Sequence, residues 1–358
     1  MLLRLMFALA AACAVAWPGD LGSPVALSAP GVARRPASVL AARIEALGQG
    51  FGDHVGIAVI DLEDGRTAAW NGEDRFSQES VAKLWTVVAV LDAVDDGGLA
   101  IDEQELVTQA DLSVFHEPLE FRLGRHGYRA SVAELVRGAI VDSDNAANDI
   151  LVRRLGGTAA VQAAIRRKGI RGIAAGIEQR VLQARIAGLR WRPELDGGQR
   201  LEAARARLDP EVREAAMQSY LAAPDDAATP VATARALKAL YEGRLLSAAS
   251  TGRLLSLMHS TVHGEERLNG ALPAGWTLAH KTGTGQHLGP LQVGTNDVGV
   301  LTAPDGHAYA AAVFVGASTQ PLYVREGLMR QVARAIVEDW LAGGGGANSK
   351  DARPRGTG

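Results

Sequence analysis

The sequence predicts an α/β (α+β) fold of two lobes: a sheet lobe assembled from both ends of the chain and an all-α lobe inserted between them. Three observations carry this. "HVGIAVIDL" and "RTAAWNG", joined by the turn "EDG", read as an early β-hairpin. "GWTLAHKTGTG", "NDVGVLTAPDG" and "HAYAAAVFVGAS" read as three neighbouring strands near the other end. Between the two groups, from residue 80 to about 245, apolar residues recur at helical spacing.

The elements follow in order. Arg4 and the apolar run "LMFALAAACAVA" form a secretory signal over residues 1–16, too short to span a bilayer and ending in the small residues of a cleavage site. Residues 17–36, rich in Pro, Gly, Ser and Ala, read as a linker. "ASVLAARIEALGQG" has helical spacing and a terminal glycine. The sheet lobe takes residues 37–75 and 246–342, and the helical lobe residues 76–245. In the helical lobe the clearest segments are "SVAKLWTVVAVLDAV", "SVAELVRGAIV", "NAANDILVRRLG" and "PVATARALKALYEG". "REGLMRQVARAIVEDWLA" closes the fold as an amphipathic helix, and the glycine-rich tail, 343–358, reads as disordered.

The chain has 358 residues, 47% hydrophobic and 22% charged, which suits one large domain or two intimate lobes. The net charge of −3 and the absence of a basic block argue against nucleic acid as a partner. Cys13 is the only cysteine and lies inside the signal, so the mature protein has neither a disulfide nor a thiol nucleophile. Leu9 stands one residue too far from Cys13 for a lipid-attachment motif. Export without structural cysteines points to a bacterial periplasm or cell surface.

Three short motifs carry the chemistry. "SVAK" sets Ser80 and Lys83 three apart on one face of a helix that is apolar nearly all round. Ser80 stands at the positive end of the helix dipole, and burial lowers the pKa of Lys83 until it can accept the serine proton. Alone, the pattern arises about once in such a chain by chance, and a capping serine with a surface lysine would explain it. "SDN", Ser143 to Asn145, falls between helices, where Ser143 can relay a proton to a leaving nitrogen and Asn145 can hold an amide. A capping turn uses the same residue types. "KTGTG" puts Lys281 in a strand, where it can bind a carboxylate, with Gly283 allowing close approach. The backbone N–H groups of Ser80 and Thr284 can then form an oxyanion hole. A lysine on an exposed edge strand is the ordinary alternative.

In this order, on helix start, interhelical turn and strand, the three resemble the motif set of the serine β-lactamases and penicillin-binding proteins. The chain is similar to class A β-lactamases in particular, over residues 38 to 342, through "RFSQESVAKLWTVVAVL", "DDAATP", "ERLNGALPAGWTLAHKTGTG" and "GTNDVGVLTAPDG". The resemblance implies an antiparallel five-stranded sheet flanked by helices plus an all-α lobe, with the site between them. It implies Ser80 as nucleophile, Lys83 as its partner, Ser143 as proton shuttle, and Asn145, Lys281, Thr282 and Gly283 as substrate ligands. Phe115 or His116 falls where the family has an aromatic gate.

One stretch departs from the family. Fast members carry Arg-x-Glu-x-x-Leu-Asn, whose glutamate activates the water that frees the acyl-enzyme. "RWRPELD" matches by letters, but has Arg192 for the glutamate and Asp196 for the asparagine, and lies too far from "SDN". An arginine cannot be a base. An ungapped count reaches "EQRVLQ", with Gln179 at the glutamate's position and Leu182 and Gln183 at the last two. Glu178, the immediate neighbour, is the candidate base and Glu194 the reserve, against the reading of both as solvated surface charges. Residues 197–223 are extra sequence of one or two helices. Glu79 adds negative charge before the nucleophile and either opposes anionic substrates or points away. His259 and His263, four apart, lack the third ligand a zinc site requires.

These features predict an exported, monomeric serine hydrolase of class A β-lactamase type, acting through a Ser80 acyl-enzyme with no cofactor and no metal. The substrate is a β-lactam. The alternative is a D-Ala-D-Ala peptidase or other amide or ester hydrolase that takes a cell-wall peptide and deacylates β-lactams slowly. A non-catalytic binding protein is the remote third reading, since a binder has no use for a nucleophile–base pair.

Overall fold

The β-strand and helix signals are realised in a computed structural model that describes residues 39–195 and 198–345. The signal with Cys13, the linker, Asp196 and residues 346–358 lie outside the described residues. Five strands form the main sheet: β1 (Val55–Asp61), β2 (Thr67–Trp70), β3 (Thr277–Thr284), β4 (Thr295–Thr302) and β5 (Ala308–Val315). Their order is β2-β1-β5-β4-β3, antiparallel throughout, so the two ends of the chain meet where β1 pairs with β5.

Both faces of this sheet are covered, which is why β1 and β5 are buried at every position and read as unbroken apolar runs. On β5, Tyr309, Ala311, Val313 and Val315 face α1 (Val39–Gly50) and α11 (Leu322–Ala342), packing with Ile44, Leu328, Val332 and Ile336. Ala308, Ala310, Ala312 and Phe314 face the other way, into the core shared with the helical lobe. A slip of one residue in register would exchange these two sets.

The helical lobe is built around α2 (Ala82–Asp95), whose residues from Ala82 to Asp92 are all buried. Around it lie α3 (Val132–Ile140), α4 (Asn145–Arg154), α5 (Thr158–Arg167) and α6 (Gln179–Ile186). Ser131 and Glu134 cap α3 reciprocally, and Asp144 caps α4 through the Ala147 N–H. The extra segment forms two helices, α7 (Gly198–Ala206) and α8 (Pro210–Ala222), the second started by Asp209 and Pro210. Met217 and Tyr220 of α8 pack with Leu182 and Ile186 of α6 and with Val293.

Two features differ from the sequence reading. A two-stranded hairpin, Gln104–Val107 with Tyr128–Ser131, lies within the segment read as mostly helical. And α9 (Pro230–Tyr241), assigned above to the helical lobe, packs on β1, β4 and β5, so the lobes interleave where a cut at residue 245 was expected. The small alanines of β5 are what let this helix lie close. α10 (Ala248–His259) follows it and packs on β3.

Phe314 is fully buried and stacks on Phe76 at 5.9 Å between centroids. Phe314→Ala is expected to lower the unfolding free energy by about 3–5 kcal/mol. Urea denaturation followed by circular dichroism measures this, and a loss below about 1 kcal/mol would contradict close packing on this face of β5.

Candidate active site

Ser80 lies in a 3₁₀ turn, Glu79–Val81, that runs into α2. No side chain caps this start, so the Ser80 hydroxyl is not spent on backbone N–H groups. Its partner is Lys83, whose Nζ is 3.0 Å from Ser80 Oγ. Lys83 is 0 % exposed, which removes the reading of a surface lysine. The same Nζ lies 2.6 Å from the carbonyl oxygen of Ser143, 2.6 Å from Asn145 Oδ1 and 3.4 Å from Ser143 Oγ. Burial pushes the Lys83 pKa down to about 8, opposed first by the carboxylates of Asp144 and Asp149. A neutral amine has two N–H donors and one lone pair. The two carbonyl-type oxygens at 2.6 Å take the donors, and the lone pair is left facing the Ser80 hydroxyl.

"SDN" does form a capping turn, and two of its side chains also face the cleft. Asp144 is the cap of α4, while Ser143 and Asn145 line the cleft. Ser143 has φ +56°, a left-handed conformation that a serine holds only where its surroundings enforce it. The Asn145 amide donates to the Val114 carbonyl at 2.7 Å, leaving one N–H and one lone pair free for a ligand.

Lys281 reaches the same serine from β3. Its Nζ donates to Ser143 Oγ at 2.9 Å and to the Thr282 carbonyl at 3.1 Å. Although β3 is the edge of the sheet, Lys281 is fully buried. Burial first, then Lys83 and Arg267, pushes its pKa well below the ordinary lysine value, with Asp297 opposing. Gly283 was expected to make room for a substrate; the close approach seen is internal, since a Cβ there would stand 2.4 Å from the carbonyl oxygen of Gln78. The missing side chain lets β3 press against the segment that carries Ser80.

Ser80, Ser143, Asn145, Thr282 and Thr284 thus line one cleft of about 450 Å³, with Phe115 and His116 both at its wall. Arg267 lines it too and was not singled out from the sequence. It donates to the Gly283 and Asn296 carbonyls at 3.1 and 2.8 Å and to Thr284 Oγ1 at 2.7 Å. It lies ten residues ahead of β3, in the stretch that leads into "KTGTG", and only folding turns it onto the strand. The inserted helix α7 adds Glu202 and Arg205, with Arg205 donating to Gln286 Oε1 at 2.8 Å.

The structure does not bring Glu178 into the cleft. Its carboxylate accepts from Arg153 at 3.0 Å and from Arg180 at 2.8 Å. Gln179 faces the cleft in its place, with its backbone N–H on Asp149. Glu194 and Arg192 are exposed and absent from the lining. Glu202 is the only carboxylate among the described residues that line the cleft. Glu79 is buried and turned toward Tyr220. His259 and His263 bond to different carbonyls, of Leu278 and Asp142, and do not converge. Among the described residues no group of His, Cys, Asp and Glu is gathered for a metal ion.

The model of the beta-lactamase enzyme family matches residues 39–340. The extended-spectrum β-lactamase PER-1 of Pseudomonas aeruginosa is 29% identical over 301 residues, spanning 84% of this chain and 87% of its own. A β-lactamase of Streptomyces albus G is 29% identical over 302 residues, 83% of each chain. Among solved structures, a β-lactamase from Chitinophaga pinensis superposes with a TM-score of 0.69 at 30% identity, covering 85% of this chain and 99% of that one. With the fold, the three motifs and these likenesses in agreement, the chain belongs to the β-lactamase family, of class A type.

Proposed function

We propose that this protein opens β-lactam amide bonds through an acyl-enzyme on Ser80 and releases the product slowly. The observation that carries the reading is the position of Lys83 Nζ, 3.0 Å from Ser80 Oγ and held by two carbonyl-type acceptors. The neutral amine takes the proton from Ser80 as Oγ attacks the lactam carbonyl. The oxyanion is met by the Ser80 and Thr284 N–H groups. Ser143, bonded to Lys281, passes a proton to the lactam nitrogen as the C–N bond breaks. The substrate carboxylate is held by Lys281, Thr282 and Thr284, with Arg267 behind Thr284. Asn145 holds the substrate amide with its remaining polar positions.

Slow release follows from Gln179. A primary amide can orient a water molecule but cannot accept its proton. Glu178, whose Oε2 is bound by two arginines, does not line the cleft. This supports the alternative to the extent that a cell-wall peptide or ester suits the site and β-lactams acylate it without quick escape. Export to the periplasm and action as a monomer remain part of this reading. No helix of the described residues is long and apolar enough to cross a membrane.

Two outcomes are expected with a chromogenic cephalosporin and intact-protein mass spectrometry. The wild type gives a burst of colour and a persistent adduct, and Ser80→Ala gives neither; steady colour from Ser80→Ala would end the proposal. Gln179→Glu restores a base at the cleft and raises steady turnover by about 10²-fold, whereas Glu178→Gln leaves it nearly unchanged. A collapse of turnover in Glu178→Gln would make that residue the base after all.

A further inference from the structure

Directly behind the nucleophile lie three buried groups that the steps above do not use. Glu79 is 1 % exposed and holds φ +54°, a conformation unfavourable for a glutamate. Its Oε1 lies 3.1 Å from the hydroxyl of Tyr220, and that hydroxyl lies 2.7 Å from Asp226 Oδ1. Asp226 Oδ2 accepts the backbone N–H groups of Glu79 at 2.7 Å and Gln78 at 3.1 Å. The peptide just ahead of Ser80 is therefore tied to Asp226, and Asp226 to Tyr220.

A count of protons settles the direction of the chain. Tyr220 has one proton to give, and the shorter contact is to Asp226, whose carboxylate already collects two N–H donors. The tyrosine oxygen then faces Glu79 Oε1 lone pair to lone pair unless Glu79 carries a proton. Oε2 of Glu79 is the acceptor for the Gln183 amide at 3.4 Å, which leaves Oε1 as the protonated atom. The other charged group acting on Glu79 is Lys83. Burial, then Asp226, raises the Glu79 pKa; burial raises Asp226 as well, but two backbone N–H donors favour its charged form.

We propose that protonated Glu79 donates to Tyr220, that Tyr220 donates to Asp226, and that this chain is a positioning device for the Ser80 N–H of the oxyanion hole, braced by the inserted helix α8. The space for it is made by glycines. A Cβ on Gly285, which follows Thr284, would stand 2.1 Å from the Val293 carbonyl oxygen and 2.7 Å from Glu79 Oε1, and one on Gly294 2.8 Å from Glu79 Cγ. Glu79 thus backs both sides of the hole, Ser80 by covalent continuity and Thr284 through Gly285. Ionisation of Glu79 puts a second negative charge beside Asp226, ends the donation to Tyr220 and loosens the strained residue.

The test uses the full mature protein and two readouts, and the kinetic one rests on the β-lactam reading above. The rate of the burst with a chromogenic cephalosporin is expected to rise as Lys83 loses its proton and to fall again as Glu79 ionises. In Glu79→Gln, whose amide donates to Tyr220 at every pH, the falling limb disappears, and Glu79→Ala loses more burst rate than Glu79→Gln does. Tyr220→Phe lowers the burst rate by about tenfold with circular dichroism unchanged. The second readout needs no substrate. A folded pKa of about 8 lies above the unfolded value near 4.5, so the stability from neutral Glu79 is complete below about pH 4.5 and is lost as pH rises to about 8. The Tm of the wild type should accordingly fall relative to Glu79→Gln across that window and then run parallel to it. Parallel Tm curves across the whole range would overturn the proposal. So would an unchanged falling limb in Glu79→Gln. Diverging Tm curves without any burst would keep the hydrogen-bonded chain and remove the β-lactam reading instead.

Discussion

A lysine with no exposure to water is the constraint on which this structure depends. A buried amine is tolerated only if its hydrogen-bonding capacity is met and its charge can be shed or balanced. Lys83 satisfies this with partners from three places: Ser80 one turn back on its own helix, the backbone of the turn between α3 and α4, and the side chain that opens α4. Each place must be held for the cost of burial to be met. Helix α2 is buried nearly all round, Ser143 is kept in a left-handed conformation, and Asp144 ties the turn to α4 and to the Leu119 N–H. The same enforced burial makes the amine a proton acceptor near neutral pH. The need to stabilise this residue and the chemistry proposed for it are one arrangement.

The sheet brings the second lysine. β3 can approach the nucleophile only because Gly283 and Gly285 lack side chains, and Arg267 then fastens the strand through Gly283 and Thr284. Lys281 and Lys83 meet at Ser143 from opposite lobes. Burial lowers both amines' affinity for a proton, Lys83 lowers that of Lys281 further, and Asp297 on one side and Asp144 and Asp149 on the other limit the effect. A serine between them is well placed to carry a proton across the cleft.

The wall opposite β3 is where this chain departs from its family pattern. Glu178 neutralises Arg153 and Arg180 and so belongs to the frame of the loop. Gln179 and Gln183 present amides to the cleft in place of a carboxylate. The inserted helices answer two needs: α7 closes the mouth with Glu202 and Arg205, and α8 supplies Tyr220 to a pair of buried acids that would otherwise repel. Without the tyrosine hydroxyl between them, Glu79 and Asp226 would be two desolvated carboxyls with one fewer donor to share.

By itself the sequence determined the five strands, the main helices and the identity of the four polar groups at the centre of the site. These are local facts: alternation and apolar runs set the elements, and Ser80, Lys83, Ser143 and Lys281 sit in short motifs whose order along the chain survives folding. Tertiary structure alone decided which way each side chain faces. Gln179 and not Glu178 enters the cleft because the carboxylate is captured by Arg153, twenty-five residues away in sequence. Glu202 and Arg205 reach the site from a segment without any motif, Arg267 turns back onto β3 from the stretch before it, and α9 lies on the sheet because the alanines of β5 leave it room. Glu79 showed the limit most plainly. Its letter announced a charge next to the nucleophile, yet its burial beside Asp226 and Tyr220 makes it an uncharged donor. A residue's protonation is set by the groups folded against it, and those lie up to 147 positions away along the chain.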